Sequence, residues 1–197
     1  MNLTDVVIDN FHRHIDTTMQ VIEELAPTIA SASEVLVNAL LNDGKILCCG
    51  EGCSGLLSQH FANALLNRFQ RDRPGLPALA LSGDAAALTA IATDSSFNEI
   101  FARQVRTLAQ PNDVLLMISH GTGSGTALQT IQSAHDRNIR AIVLCADNDA
   151  DIRALFGADD IELGLGDVSR MQFMELGLLV LHNLCELVEL QIFGSEV

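Results

Sequence analysis

Residues 45–68 constrain the fold more than any other stretch: a short apolar run, a glycine-bearing turn and a helix-forming segment follow one another directly. Ile46, Leu47, Cys48 and Cys49 are too few for a helix and lie between Gly44 and Gly50, as a strand buried on both faces of a parallel sheet would. Gly50, Gly52 and Gly55 let the main chain turn sharply and bring its N–H groups close to a ligand. Ser54 stands where the helix should begin, a candidate N-cap and a hydroxyl beside the positive helix end. The natural guest of such a turn is an anion, most simply a phosphate. No Walker A loop is present, and the turn is read as a phosphate cradle rather than a nucleotide or dinucleotide fingerprint.

The rest of the chain repeats this grammar. Val7, Phe11, Ile15, Met19 and Ile22 recur at spacings of three and four, predicting an amphipathic helix over residues 4–24. Pro27 suits an early position in a second helix that Asn42-Asp43-Gly44 would stop, so residues 1–43 read as a helical hairpin. Strands are expected at 78–81, 114–118, 141–145 and 159–163, with helices from Ser82-Gly83-Asp84 through Leu88 and Ile91, from residue 97 or 98 to 108, and through Leu128, Ile131 and Ala134, and a long apolar helix over 169–192. A second glycine-rich turn, Ser119 to Thr126, follows the third strand. Strands alternating with helices over short connections give a parallel sheet covered on both faces, and both turns fall at its carboxyl edge, where α/β sheets bind ligands. The expectation is one domain of three αβα layers: the N-terminal hairpin at 1–43, then a five-stranded core at 44–197.

Composition narrows the function. A chain of 197 residues with 48% hydrophobic residues can bury a sizeable core. A net charge of −14 argues against direct nucleic-acid binding, and Arg68, Arg71 and Arg73 form too small a basic knot to reverse that. Such a surface would suit a basic protein partner. No apolar run reaches the roughly 18 residues of a membrane span, and the opening sequence MNLTDVVIDNFHRHID does not read as a signal peptide, so a cytoplasmic protein is expected. The five cysteines show no zinc-knuckle spacing and read as free thiols, with Cys53 in the turn the one to test for reactivity.

The ordered set GKILCCGEGCS, QHFANALLNRF, RDRPGLPALAL, AIATDSSFNEIFARQV, DVLLMISHGTGSG and LHNLCELVE resembles the sugar isomerase (SIS) fold over nearly the whole chain. Within that fold it resembles the phosphoheptose isomerase group, which includes the DnaA initiator-associating proteins. The resemblance implies a homotetramer with a sugar-phosphate site between subunits. It also implies an aldose–ketose isomerisation through an enediol, which needs a general base and acid and can use zinc.

Carried over residue by residue, that chemistry is incomplete. The resemblance puts a metal-ligating His at His60 and the base, a Glu, at Ala64; a second His falls on His182 and a Gln ligand on Met174. Gln172 is two positions off, about 200° around a helix. His60 and His182 alone fall short of the three protein ligands usual for catalytic zinc, so no cofactor is expected unless this pair still forms a site. The first phosphate loop becomes Glu51-Gly52-Cys53-Ser54, and the second becomes Ser119-His120-Gly121-Thr122-Gly123-Ser124. Ser54, Ser119 and Ser124 still suit phosphate oxygens, and helix capping is the lesser reading of the latter two. Thr93 and Asp94 fall on a pair near the sugar.

The leading expectation is therefore a tetrameric scaffold that binds sugar phosphate without isomerising it, similar to the DnaA initiator-associating proteins. Their partner-binding apolar pair matches Ile192 and Phe193. An active phosphoheptose isomerase in which His60, His182 and Glu51 suffice, with Glu51 as base, is the alternative. A sugar-phosphate sensor is a third reading.

Overall fold

A computed structural model of the protein describes residues 2–121, 124–146 and 150–194. Five parallel strands, β1 (Ile46–Gly50), β2 (Ala78–Ala80), β3 (Val114–Ser119), β4 (Arg140–Cys145) and β5 (Ile161–Gly164), lie in the order β2-β1-β3-β4-β5. Seven helices accompany them among the described residues: α1 (Leu3–Leu41), α2 (Cys53–Leu66), α3 (Ala85–Asp94), α4 (Ala102–Leu108), α5 (Gly125–Asp136), α6 (Ala150–Leu155) and α7 (Arg170–Phe193). The three-layer αβα fold is the expected one.

Burial on both faces follows from strand alternation. Ile46, Cys48, Leu116, Ile118, Ile142 and Leu144 point into a core closed by α1, α2 and α7. Leu47, Cys49, Leu115, Met117, Ala141 and Val143 point into a second core closed by α4, α5 and α6. β1 and β3 are buried along their whole length, which explains their unbroken apolar sequences. At the amino edge, buried Asp113 accepts from the Lys45 backbone N–H (2.9 Å) and ammonium (2.5 Å), tying the starts of β1 and β3.

The N-terminal hairpin is not formed. Residues 3–41 make one helix with Pro27 inside it. Proline cannot donate to the carbonyl four residues back, but Pro27 is on the exposed face, where water can satisfy the orphaned carbonyl. The helix expected from residue 97 to 108 is instead a 3-10 turn, Phe97–Glu99, followed by α4. The short helix α6 was not foreseen from the sequence.

The fold places both glycine-rich turns together. The chain leaves β1 for β2 on one side of the sheet and returns to β3 on the other, so the switch in strand order falls between β1 and β3. Their register pairs Gly50 with Ile118, which aligns the two carboxyl ends.

Candidate functional site

The site begins with Gly50. A methyl group there would stand 2.8 Å from both the Ile118 carbonyl oxygen and the Ser54 carbonyl carbon, so the bare backbone lets β3 and α2 close on the end of β1. Gly52 has a φ of +55°, which L side chains rarely adopt, and serves as the N-cap of α2 without a capping side chain. Ser54 is thus not the N-cap; it is the second residue of α2. It is buried, with its hydroxyl at the cavity wall.

That cavity, about 280 Å³, lies between the β1 and β3 ends and the start of α7. Glu51, Cys53, Ser54, Ser119, His120 and Gly121 all line it, and Gly52 lies at its rim beside Arg170. Ser124 caps α5 through the Ala127 N–H (3.2 Å) and donates its own proton to Glu51 Oε2 (2.9 Å). Glu51 therefore faces the cavity and is held by the second turn. Thr122 lies outside the described residues. Glu51 also borders a second cavity of about 300 Å³ formed with Gln59, Ser82, Thr89 and Phe97. A larger cleft, about 510 Å³, lies between α1 and the end of β5 and contains no residue of either turn.

Gly50, Gly52 and Gly55 stand at G-x-G-x-x-G spacing, so the reading of this turn as no dinucleotide fingerprint does not follow from its spacing. Here the third glycine serves packing: a methyl on Gly55 would come within 2.9 Å of the Gly50 carbonyl oxygen.

The structure gathers the remaining expected residues elsewhere. His60 on α2 and His182 on α7 meet with their Nε2 atoms 2.9 Å apart, one donating to the other. The Phe69 ring stands 5.2 Å from His182, centroid to centroid. Partial burial, and then the neighbouring His60, lower the His182 pKa below the ordinary imidazole value. Ala64 is buried in the core one turn beyond His60, and Met174 lines the cavity between the two turns, two turns before His182. Gln172 accepts from the Ser169 N–H and donates to Thr17, so it faces away from both groups.

These residues do not fit a catalytic zinc. Two imidazoles are hydrogen-bonded to each other, and the other two inherited positions offer a methyl and a thioether. Among the described residues, no three His, Cys, Asp or Glu side chains gather as ligands would.

Thr93 and Asp94 are exposed at the end of α3, with the Thr93 hydroxyl donating to the Thr89 carbonyl, and neither lines the cavity of its own chain. Ile192 is half-buried against the core; Phe193 is 37% exposed, its ring 5.9 Å from the Arg73 guanidinium carbon. The basic knot is spent internally: Arg73 pairs with Glu189, Arg71 donates to the Gly194 carbonyl, and Arg68 lies 3.9 Å from Asp72.

Sequence reasoning missed Arg170, the first residue of α7, which lines the cavity. A signal was available: a cation in the first turn of a helix opposes the helix dipole, so a reason other than helix stability is called for.

The SIS domain pattern matches residues 10–146. Over 195 residues the chain is 44% identical to a phosphoheptose isomerase from Chromohalobacter salexigens, covering 99% of each chain, and 39% identical to another from Alkalilimnicola ehrlichii, covering 99% of this chain and 100% of that one. A phosphoheptose isomerase structure from Francisella tularensis superimposes with a TM-score of 0.91 at 36% identity, covering 95% of this chain and 98% of that chain. A chain with this sheet order and these paired turns, so matched, belongs to the SIS-domain family. Within it, the chain belongs to the phosphoheptose isomerase family.

Proposed function

We propose that this protein binds a sugar phosphate in the cavity between its two glycine-rich turns and does not isomerise it. One observation carries this reading. The position of the base is the buried methyl of Ala64, and the two remaining inherited imidazoles, His60 and His182, are bonded to each other rather than aimed into the cavity. An enediol mechanism needs a group that removes a proton from carbon, and neither a methyl nor a thioether can do so.

In this reading the protein is a cytoplasmic homotetramer that serves as a scaffold, with a replication initiator as partner. The partly exposed Phe193 and the charge of −14 support a basic protein partner. The apolar stripe Leu3, Val7, Phe11, Ile15 and Met19, exposed along the first half of α1, supports self-association.

Glu51 favours a second reading, an active phosphoheptose isomerase. It is a carboxylate on the cavity wall, oriented by Ser124, and relatives at 44% and 39% identity carry that enzyme's name.

Turnover of sedoheptulose 7-phosphate, with added zinc and after metal stripping, separates the two. The expected result is binding without turnover, and weak zinc-dependent turnover in the Ala64→Glu, Met174→Gln double variant. Zinc-dependent turnover by the parent, lost in His182→Ala, would overturn the scaffold reading.

A further inference from the structure

We propose that Arg170 is the charge that selects a phosphate ester in this cavity, a role the glycine-rich turns do not fill by themselves. The inference rests on the sugar-phosphate reading above and names the residue that gives it specificity. Arg170 opens α7, and its Nη2 lies 3.7 Å from where a methyl on Gly52 would be, directly over the positive-φ turn that starts α2. The guanidinium thus stands at the N-terminal end of a 14-residue helix, beside backbone N–H groups that no side chain caps. Among the described residues it has neither an ion-pair nor a hydrogen-bond partner.

A second, independent feature points to a ligand in the same place. Ser54 is 5% exposed and lines the cavity, and among the described residues its hydroxyl has no partner. A hydroxyl on the cavity lining with no protein partner is free to donate to a guest. Ser119, 6% exposed, bonds within its own turn only at the long distance of 3.4 Å, to the Gly121 carbonyl.

The charges decide the guest. Glu51 is an anion on the cavity wall, which disfavours a second anion, and the hydroxyls expected at two loop positions are His120 and Gly121. Without compensation, the cavity would bind phosphate less well than a neutral sugar. Arg170 supplies that compensation: a planar cation able to bond two phosphate oxygens at once, lining the same cavity as Ser54. Its placement at the dipole-opposed end of α7 costs helix stability and is understandable where an anion joins the two positive helix starts.

The test is calorimetric titration of the full chain with sedoheptulose 7-phosphate, and with inorganic phosphate as competitor, for the parent, Arg170→Gln and Arg170→Lys. A charge-assisted hydrogen bond lost in Arg170→Gln should weaken binding of the ester about 10- to 100-fold. Arg170→Lys should recover part of that, and competition by inorganic phosphate should disappear in Arg170→Gln while the thermal midpoint does not fall. Equal affinity of the parent and Arg170→Gln for the ester would overturn the proposal and leave the sugar-phosphate reading standing. A parent that binds neither the ester nor inorganic phosphate would overturn both.

Discussion

Removing the Glu189 carboxylate should destabilise the protein by about 3–5 kcal/mol, the range for breaking one side of a buried ion pair. The structure shows why the figure is large. The side chains of Arg73 and Glu189 are 1% and 5% exposed, with Nε and Oε1 2.6 Å apart. The same carboxylate accepts from the backbone N–H groups of Phe69, Gln70 and Arg71, at 3.1, 3.4 and 3.5 Å. Glu189→Ala therefore strands a buried guanidinium and three backbone donors together. Arg73 keeps its bonds to the carbonyls of Ala64, Leu65 and Pro74, which favours the lower end of the range. For a chain of this size, about 3 kcal/mol corresponds to roughly 6–12 °C in the thermal midpoint, read by circular dichroism at fixed protein concentration.

The acid dependence has a definite sign. Burial alone would raise the Glu189 pKa, but the Arg73 bond and the three N–H groups outweigh it and hold the carboxylate below its ordinary value. A lowered folded pKa contributes stability that is present in full above the ordinary carboxylate range and is lost as pH falls through that range toward the folded value. The gap between parent and Glu189→Ala should thus be constant near neutrality and narrow below about pH 4. Replacing both partners, as Arg73→Met with Glu189→Leu, should recover only the part of the loss due to the stranded guanidinium, because the three N–H groups stay without their carboxylate. A single variant within about 1 kcal/mol of the parent, or a double variant as unstable as the sum of the singles, would refute the reasoning.

Two further outcomes follow from burial. In the native protein one thiol, Cys53, should react rapidly with Ellman's reagent, and all five should react in denaturant; burial pushes the Cys185 thiol up to about 12 and raises Cys48 and Cys49 as well. Rapid native labelling of more than one would contradict the buried placements. The Phe11→Glu, Met19→Glu double variant should lower the mass seen by sedimentation, since both side chains lie on the exposed stripe of α1, at 67% and 64% exposure; an unchanged mass would remove that stripe from any subunit interface.

Much of the fold was legible because its signals are local. The unbroken run Ile46 to Cys49 could only be a strand buried on both faces, and the two turns could be placed at the carboxyl edge of the sheet from their position after strands. The misreadings came where local rules compete with solvent and tertiary context. Pro27 signals a break, yet on an exposed face it sits within one helix, and Ser54 has the chemistry of a cap but lies a residue pair past one. Glu51 was singled out by elimination, and its Ser124 partner, 73 positions away, could not be read from spacing. The meeting of His60 with His182 and of Arg73 with Glu189 likewise depends on α2 and α7 lying side by side. Arg170 was overlooked because an arginine at a helix start resembles an ordinary surface charge until the opposite turn is seen beneath it.

The glycine cradle has a consequence for how such a protein changes over time. Its walls are main chain, fixed by the approach of Gly50 to Ile118 and of Gly55 to Gly50, whereas the groups that could react are side chains on the faces of α2 and α7. Recognition and reactivity are therefore separately mutable. Substitutions at positions 60, 64 and 182, none of which lines that cavity, can change what those helix faces offer while the receptacle keeps its shape.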